Sequence, residues 1–322
     1  MKDLTIKTLL SKKKGELQLE LQTTEIGLDN MIKTYDMNKP GLAFTGFVEV
    51  FKYDRIQLLS KTEIKYLDSL TSTKRYDRIE NLFQEFNIPC IIISDGMQPS
   101  KELVFLGSEN KVPIIVSQLT EEQLFKSLSV FLHDWFAPRK KLNGTLVDVY
   151  GVGIFITGKS GIGKSECALE LISSGHRFIA DDIVDAKRRN NVIMGEANKD
   201  IGHFMEIRGI GIIDIERMFG VRSIRVQKRI ETQVELVPWR PNMDYERIGL
   251  KEHYNRILDV EIPIIYLPVS PGKSIAKIIE VIALNHMLKV YGYNSAEVMN
   301  ERLQEDMERK KKIRSYLESD KE

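Results

Sequence analysis

One stretch restricts what this chain can fold into more than any other. Val152-Gly-Ile-Phe-Ile-Thr157 runs into Gly158-Lys-Ser-Gly-Ile-Gly-Lys-Ser165, which opens into Glu166-Cys-Ala-Leu-Glu-Leu-Ile172. An apolar, β-branched run predicts a strand, the glycine-rich octet a turn, and the last segment a helix. Gly-x-x-x-x-Gly-Lys-Ser between a strand and a helix is the pattern of a phosphate-binding loop. Glycines let successive N–H groups converge on an anion, and the helix N-terminus adds its dipole. The candidate nucleotide-binding residues are therefore Gly158, Lys159, Ser160, Gly161, Ile162, Gly163, Lys164 and Ser165. Lys164 would reach the β/γ-phosphates and the Ser165 hydroxyl would ligate Mg²⁺.

Composition removes several partners. Lys+Arg of 47 against Asp+Glu of 46 leaves a net charge of +1 across 322 residues, so no global field draws the chain to nucleic acid or anionic lipid. Cys90 and Cys167 both lie in apolar runs and read as buried free thiols of a reducing compartment. Met1-Lys-Asp-Leu-Thr-Ile-Lys7 lacks the apolar core of a signal peptide, and no apolar stretch approaches the length of a membrane span. A cytoplasmic protein without nucleic-acid or membrane partners is expected.

The length allows two domains, and Ala137-Pro-Arg-Lys-Lys141 reads as a linker between residues 1–137 and 138–322. In the first part, Leu42-Ala-Phe-Thr-Gly-Phe-Val-Glu-Val50 predicts a strand in which Gly46 marks a bulge or a close approach. Ser60-Lys-Thr-Glu63 and Thr120-Glu-Glu-Gln123 have capping-box spacing, each opening an amphipathic helix; another helix is expected over 74–86. Pro89-Cys-Ile-Ile-Ile-Ser94 reads as a buried strand, and another short strand is expected over 112–116. Strands alternating with helices predict a small α/β domain with a largely parallel sheet, regulatory or assembly-related in role. His133 reads as a packed or surface helix residue.

In the second part, two β-rich runs around Tyr150-Gly151 predict a hairpin whose second strand delivers the loop. Gly175 stops the following helix. Phe178-Ile-Ala-Asp181-Asp182 ends in two carboxylates that suit either metal binding or proton handling. Adjacent strand residues point to opposite faces, so both carboxylates need not meet one ligand. Met205-Glu206-Ile-Arg208-Gly-Ile-Gly-Ile-Ile-Asp214 looks like backbone approaching a ligand. There Glu206 is a candidate Mg²⁺ ligand and Arg208 a candidate phosphate clamp. Strands are expected in 222–237 and 262–268, a loop over Val269-Ser-Pro-Gly-Lys273, an amphipathic helix over 274–291, and a charged helical tail.

Residues 150–182, 206–213 and 267–273, with Asn38-Lys-Pro-Gly-Leu-Ala-Phe-Thr-Gly46 and Arg55-Ile-Gln-Leu-Leu-Ser-Lys-Thr-Glu63, together resemble HPr kinase/phosphorylase, a bacterial serine kinase family. The resemblance implies an α/β fold: a small N-terminal α/β domain and a C-terminal P-loop kinase domain similar to phosphoenolpyruvate carboxykinase. It implies ATP and Mg²⁺ as cofactors and HPr as the protein partner. The activity it implies is serine phosphorylation of HPr with phosphorolysis in reverse, in bacterial carbon-source regulation, by a homohexamer. At matching positions Asp182, with Asp181 beside it, would be base and acid, and Ser165 and Glu206 would hold Mg²⁺. Arg247 would assist, and Pro268, Val269, Ser270, Pro271, Gly272 and Lys273 would serve dephosphorylation.

Three positions depart from the family pattern: Asn143 for a histidine, Lys159 for an aspartate, and Lys273 for an arginine. Asn143 cannot carry a proton, and Lys273 lacks the fork of an arginine. Two other functions fit the residues less well: a small-molecule kinase or carboxykinase, and a non-catalytic ATP sensor.

Overall fold

The computed structural model describes residues 3–198, 201–239, 252–270 and 272–319. Two compact units, Met1–Ala137 and Pro138–Glu322, divide the chain. In the first unit the elements run β1 (Leu4–Thr5), α1 (Ile6–Lys13), β2 (Leu19–Leu21), β3 (Met31–Ile32), β4 (Met37–Asn38), α2 (Gly41–Phe44), β5 (Ile56–Leu59), α3 (Lys61–Ser69), α4 (Ser72–Glu85), β6 (Ile91–Ile93), α5 (Lys101–Glu109), β7 (Ile114–Ser117) and α6 (Glu121–Phe136). A five-stranded sheet of order β2-β7-β6-β5-β4 is parallel except for its antiparallel edge β2. Every residue of β5, β6 and β7 is buried because helices cover both faces. One face packs α3, α4 and α5 through Ile64, Ile79 and Leu103, and the other packs α1 and α6 through Leu9, Leu124 and Leu128.

Both capping boxes form; at α3 the Ser60 amide donates to Glu63 Oε2 at 2.9 Å. The strand expected over 42–50 does not. Pro40 caps a short helix there instead, and Ala43 and Phe44 are buried against the α3–α4 core. Tertiary burial of two side chains outweighs β-propensity in so short a run. Gly46 is a close approach rather than a bulge: its φ is +100°, and an added Cβ would collide with the Arg78 guanidinium. His133 is exposed on α6 and stacks on Tyr35 at 4.4 Å.

The second unit continues with β8 (Arg139–Asn143), β9 (Thr145–Val149), β10 (Val152–Gly158), α7 (Lys164–Ser173), β11 (Arg177–Ala180), β12 (Ile183–Arg189), β13 (Val192–Ala197), β14 (Phe204–Ile207), β15 (Gly211–Asp214), α8 (Ile215–Phe219), β16 (Gln227–Ile230), β17 (Thr232–Pro238), β18 (His253–Ile257), β19 (Val260–Val269), α9 (Ile275–Val290) and α10 (Ser295–Ser319). A six-stranded mixed sheet has the order β11-β9-β10-β17-β19-β18, with β10, β17 and β19 parallel at its centre. β9 and β10 form the expected hairpin.

One face of this sheet buries Val147, Ile154, Ile156 and Val234 against Ala168 and Leu171 of α7 and Ala276 and Ile279 of α9. Leu146, Phe155 and Ile262 on the other face pack against Val184, Ala186 and Ile193 of an antiparallel sheet of order β16-β13-β12-β8. The unit is thus helices, sheet and sheet in layers, a mixed α/β architecture. Burial along β10 is continuous from Val152 to Ile156 because both faces are covered. Cys90 and Cys167 are buried and unpaired, and burial pushes the Cys167 thiol up to about 12. No helix among the described residues is long and apolar enough to cross a membrane.

Candidate functional site

Parallel strands β10, β17 and β19 end at one edge of the sheet. Gly158 stands opposite Leu236, and Pro238 opposite Val269. The octet that follows β10 and the segment that follows β19 therefore leave the same edge, where open parallel sheets bind ligands. The octet turns tightly. Gly158 (φ +141°) comes so close to β17 that an added Cβ would lie 2.6 Å from the Leu236 carbonyl oxygen. Gly163 (φ +106°) starts α7, with no side-chain cap. Lys164 Nζ donates back to the carbonyls of Gly158 and Lys159, both at 3.3 Å. Lys159, Ser160 and Gly161 are exposed, while Ile162 folds inward onto the core.

Arg208, 48 residues further on, lies over this loop: its Nη2 donates to Ser160 Oγ at 3.5 Å, and an added Cβ on Gly161 would strike the guanidinium. Lys159 and Lys164 within the octet and Arg208 over it thus bring three cations to the loop. The β14–β15 hairpin carries Arg208 to a position next to the loop. That hairpin is anchored by Met205 and Ile207, which are buried in the core under α7. Glu206 alternates outward and is exposed.

Asp181 and Asp182 sit just past the end of β11, in a turn rather than on the strand. Asp181 is 4% exposed; its Oδ2 accepts from Ser165 Oγ at 2.8 Å and its Oδ1 from Thr145 Oγ1 at 2.5 Å. Burial pushes its carboxyl upward, and the two hydroxyl donors oppose that shift. Asp182 is exposed, with φ +59°, and the Ile183 amide reaches over it to the Asp181 carbonyl at 2.7 Å. This is a γ-turn with its central residue at positive φ, a rare and strained form for a residue with a Cβ. The Gly144 amide donates to the Asp182 carbonyl at 3.1 Å, and Asn143 pairs with Ile183 in the β8–β12 ladder. Asn143 therefore stands beside the carboxylate turn.

Of the late loop, Pro268 and Val269 end β19, Ser270 is half-buried, and Gly272 and Lys273 are exposed. The Lys273 amide reaches the Ser270 carbonyl at 3.4 Å. Ser274 caps α9 and donates to Glu170 of α7 at 2.5 Å, which ties the late loop to the helix of the octet. Arg247 and Pro271 lie outside the described residues. The structure thus joins the octet, Arg208 and Asp181 by contact, and places the late loop at the same edge.

The donor chemistry suits a magnesium nucleotide. Hard oxygens of Ser165 and Asp181 are 2.8 Å apart beside the glycine octet, over which Arg208 lies. No group of three or more His, Cys, Asp or Glu side chains converges among the described residues, so protein side chains alone do not build a closed metal cage. Such incomplete protein shells are usual for Mg²⁺ that is completed by phosphates and water. Sequence reasoning missed Thr145, which belongs to no motif and meets Asp181 only because β11 pairs with β9.

Residues 134–303 match the family described as HPr Serine kinase C-terminal domain, and residues 4–132 match HPr Serine kinase N terminus. The HPr kinase/phosphorylase of Prosthecochloris aestuarii is 42% identical over 292 residues, covering 88% of this chain and 86% of that protein. That of Treponema pallidum is 42% identical over 311 residues, covering 96% and 97%. A solved structure of the Hpr(Ser) kinase/phosphatase from Coxiella burnetii aligns with a TM-score of 0.44 at 30% identity, covering 47% of this chain and 99% of that one.

Proposed function

From the fact that this chain belongs to the HPr serine kinase family, we infer that it is a bifunctional protein-serine kinase. It phosphorylates a serine of the phosphocarrier protein HPr and removes that phosphate by phosphorolysis. In our reading ATP is the phosphate donor and Mg²⁺ its metal. The observation that carries this reading is the Ser165–Asp181 hydrogen bond. It couples Ser165, the last residue of the octet and the second of α7, to a carboxylate pair whose second member is held out at a strained turn.

The octet's amides would cradle the phosphates, with Lys164 leaving its two carbonyls for them and Arg208 closing from the hairpin. Ser165 and Glu206 would hold Mg²⁺, which when bound neutralises charge on the transferring group. Asp182 would take the proton of the incoming serine hydroxyl as its oxygen bonds to phosphorus and the ADP oxygen leaves. In phosphorolysis a protonated Asp182 would give its proton to the serine oxygen as the seryl O–P bond breaks, while an oxygen of inorganic phosphate bonds to phosphorus and pyrophosphate leaves. Arg247 would support the charge, and Pro268, Val269, Ser270, Pro271, Gly272 and Lys273 would seat the phosphate used in reverse. Positioning and charge, rather than covalent chemistry by the protein, carry the rate in such transfers. A kinase core like that of phosphoenolpyruvate carboxykinase, a homohexamer, a cytoplasmic location and a place in carbon-source regulation complete the reading. Exposed apolar side chains along α10, among them Met299, Leu303 and Met307, are consistent with self-association.

The test is phosphoserine formation on purified HPr. Wild-type protein with ATP and Mg²⁺ forms it, Lys164→Ala does not, and Asp182→Asn binds ATP without transfer. A wild-type protein that leaves HPr unmodified overturns the reading, and a fully active Asp182→Asn removes the proposed base.

A further inference from the structure

We propose that Thr145 is a positioning residue of the phosphate site: its hydroxyl fixes Asp181 so that the carboxylate's other oxygen is presented to Ser165. The proposal rests on the Mg·ATP reading above and deepens it. Thr145 is fully buried at the start of β9, the strand between β10, which delivers the octet, and β11, which delivers the carboxylates. It pairs with Ile156 on one side, while Leu146 next to it pairs with Ala180 on the other. The β9–β11 register shifts between Phe178 and Ala180, and beyond that shift the chain brings Asp181 onto Thr145.

Asp181 is a buried carboxylate that no cation among the described residues pairs with, although burial disfavours its charge. Two hydroxyls stabilise it, one on each oxygen, from Thr145 and Ser165. Ser165 alone would leave the carboxylate free to turn about its last torsion; donors on both oxygens remove that freedom. The orientation matters through Ser165. A hydroxyl has one hydrogen and two lone pairs. Giving the hydrogen to a fixed Asp181 leaves both lone pairs to face a cation. Partners of this outer kind commonly set metal affinity by 10- to 100-fold.

Thr145→Val keeps the shape and deletes the hydroxyl; Thr145→Ser restores it. Calorimetric titration of the full-length protein with ADP in the presence and absence of Mg²⁺ reads binding without turnover. Thr145→Val should bind Mg·ADP about tenfold more weakly while its affinity for metal-free ADP stays within about twofold, and Thr145→Ser should recover to within about threefold of wild type. Asp181→Asn should reproduce the loss, and the double variant should be no worse than Asp181→Asn, because the two residues act in series. Kinetically, the KM for Mg·ATP should rise more than kcat falls. Wild-type Mg·ADP affinity in Thr145→Val overturns the proposal. So does a serine variant as weak as the valine one, or an additive double variant. Where valine does not fold, the serine variant and the Asp181→Asn comparison decide the matter: a serine variant that binds Mg·ADP as weakly as Asp181→Asn overturns the proposal. Wild-type protein that binds Mg·ADP but never modifies HPr defeats the kinase reading alone and leaves the role of Thr145 standing.

Discussion

Gly163 and Gly175 bracket the same helix and make a controlled experiment. Both have positive φ, +106° and +93°, and an added Cβ at either meets nothing within 4 Å. Alanine at each position therefore introduces backbone strain with no steric clash. That strain is of order 1–3 kcal/mol, offset by about 0.4–1 kcal/mol from a stiffer unfolded chain, leaving a net loss of about 1–2 kcal/mol. In Gly175→Ala, at the helix C-terminus, the whole loss should appear as a lower urea midpoint at unchanged slope, with ADP affinity as in wild type. In Gly163→Ala the site itself is strained. If the octet relaxes in the free protein it must be strained again on binding, so the stability loss and the ADP affinity loss should together reach the same figure, a factor of about 5–30. Urea denaturation and ADP calorimetry on both variants measure the two parts. A Gly163→Ala protein matching wild type in both would refute a phosphate loop held by positive-φ geometry. A Gly175→Ala protein that binds ADP as poorly as Gly163→Ala would show the helix, not the loop, to be responsible.

Two further outcomes follow from contacts around α7. Arg208→Ala should weaken ATP binding about tenfold or more by removing a charge-assisted phosphate contact, and Arg208→Lys should recover only part of it because an ammonium lacks the fork; full recovery by lysine would make Arg208 a mere point charge. Lys277 donates to Glu280 at 3.0 Å and, with His176 at 3.2 Å, holds that carboxyl below the usual carboxylate range. A folded-state value below the unfolded one stabilises the protein fully above the unfolded value and is lost as pH falls through the folded one. Glu280→Gln should therefore lower the urea midpoint at neutral pH, and its deficit should shrink in acid; a pH-independent deficit would mean that packing alone is lost.

What is legible in the sequence is local. The hairpin, the octet, the helix and its glycine stop, and both capping boxes are encoded by residues within a few positions of one another. The 101–109 helix escapes a reading of apolar spacing although Ser100 caps it, because its buried apolar residues Leu103 and Leu106 are few. The β12–β13 hairpin, turning at Asn190 with φ +52°, escapes too: Lys187, Arg188 and Arg189 hide a strand whose Val184 and Ala186 face the core. Leu42–Val50 misleads because its β-rich composition says nothing of the α3 and α4 surfaces that Ala43 and Phe44 fill. In the site, Lys164, Ser165 and the carboxylate pair are visible as motif members. That Asp181 faces Ser165 while Asp182 is held outward is not, since it depends on a turn at positive φ and on a register shift. Thr145 is invisible for the same reason.

The span between Thr145 and Asp181 is 36 residues, and the octet and its helix lie inside it. This half of the site is closed by short loops, so its chain-entropy cost is small and it can nucleate as a unit. The late loop reaches the same edge only after β17 and β19 have added in parallel across long connections, a non-local pairing that is intrinsically slower. Refolding should therefore form the half that holds the octet before the full edge exists. During synthesis, the ribosome would release that half first.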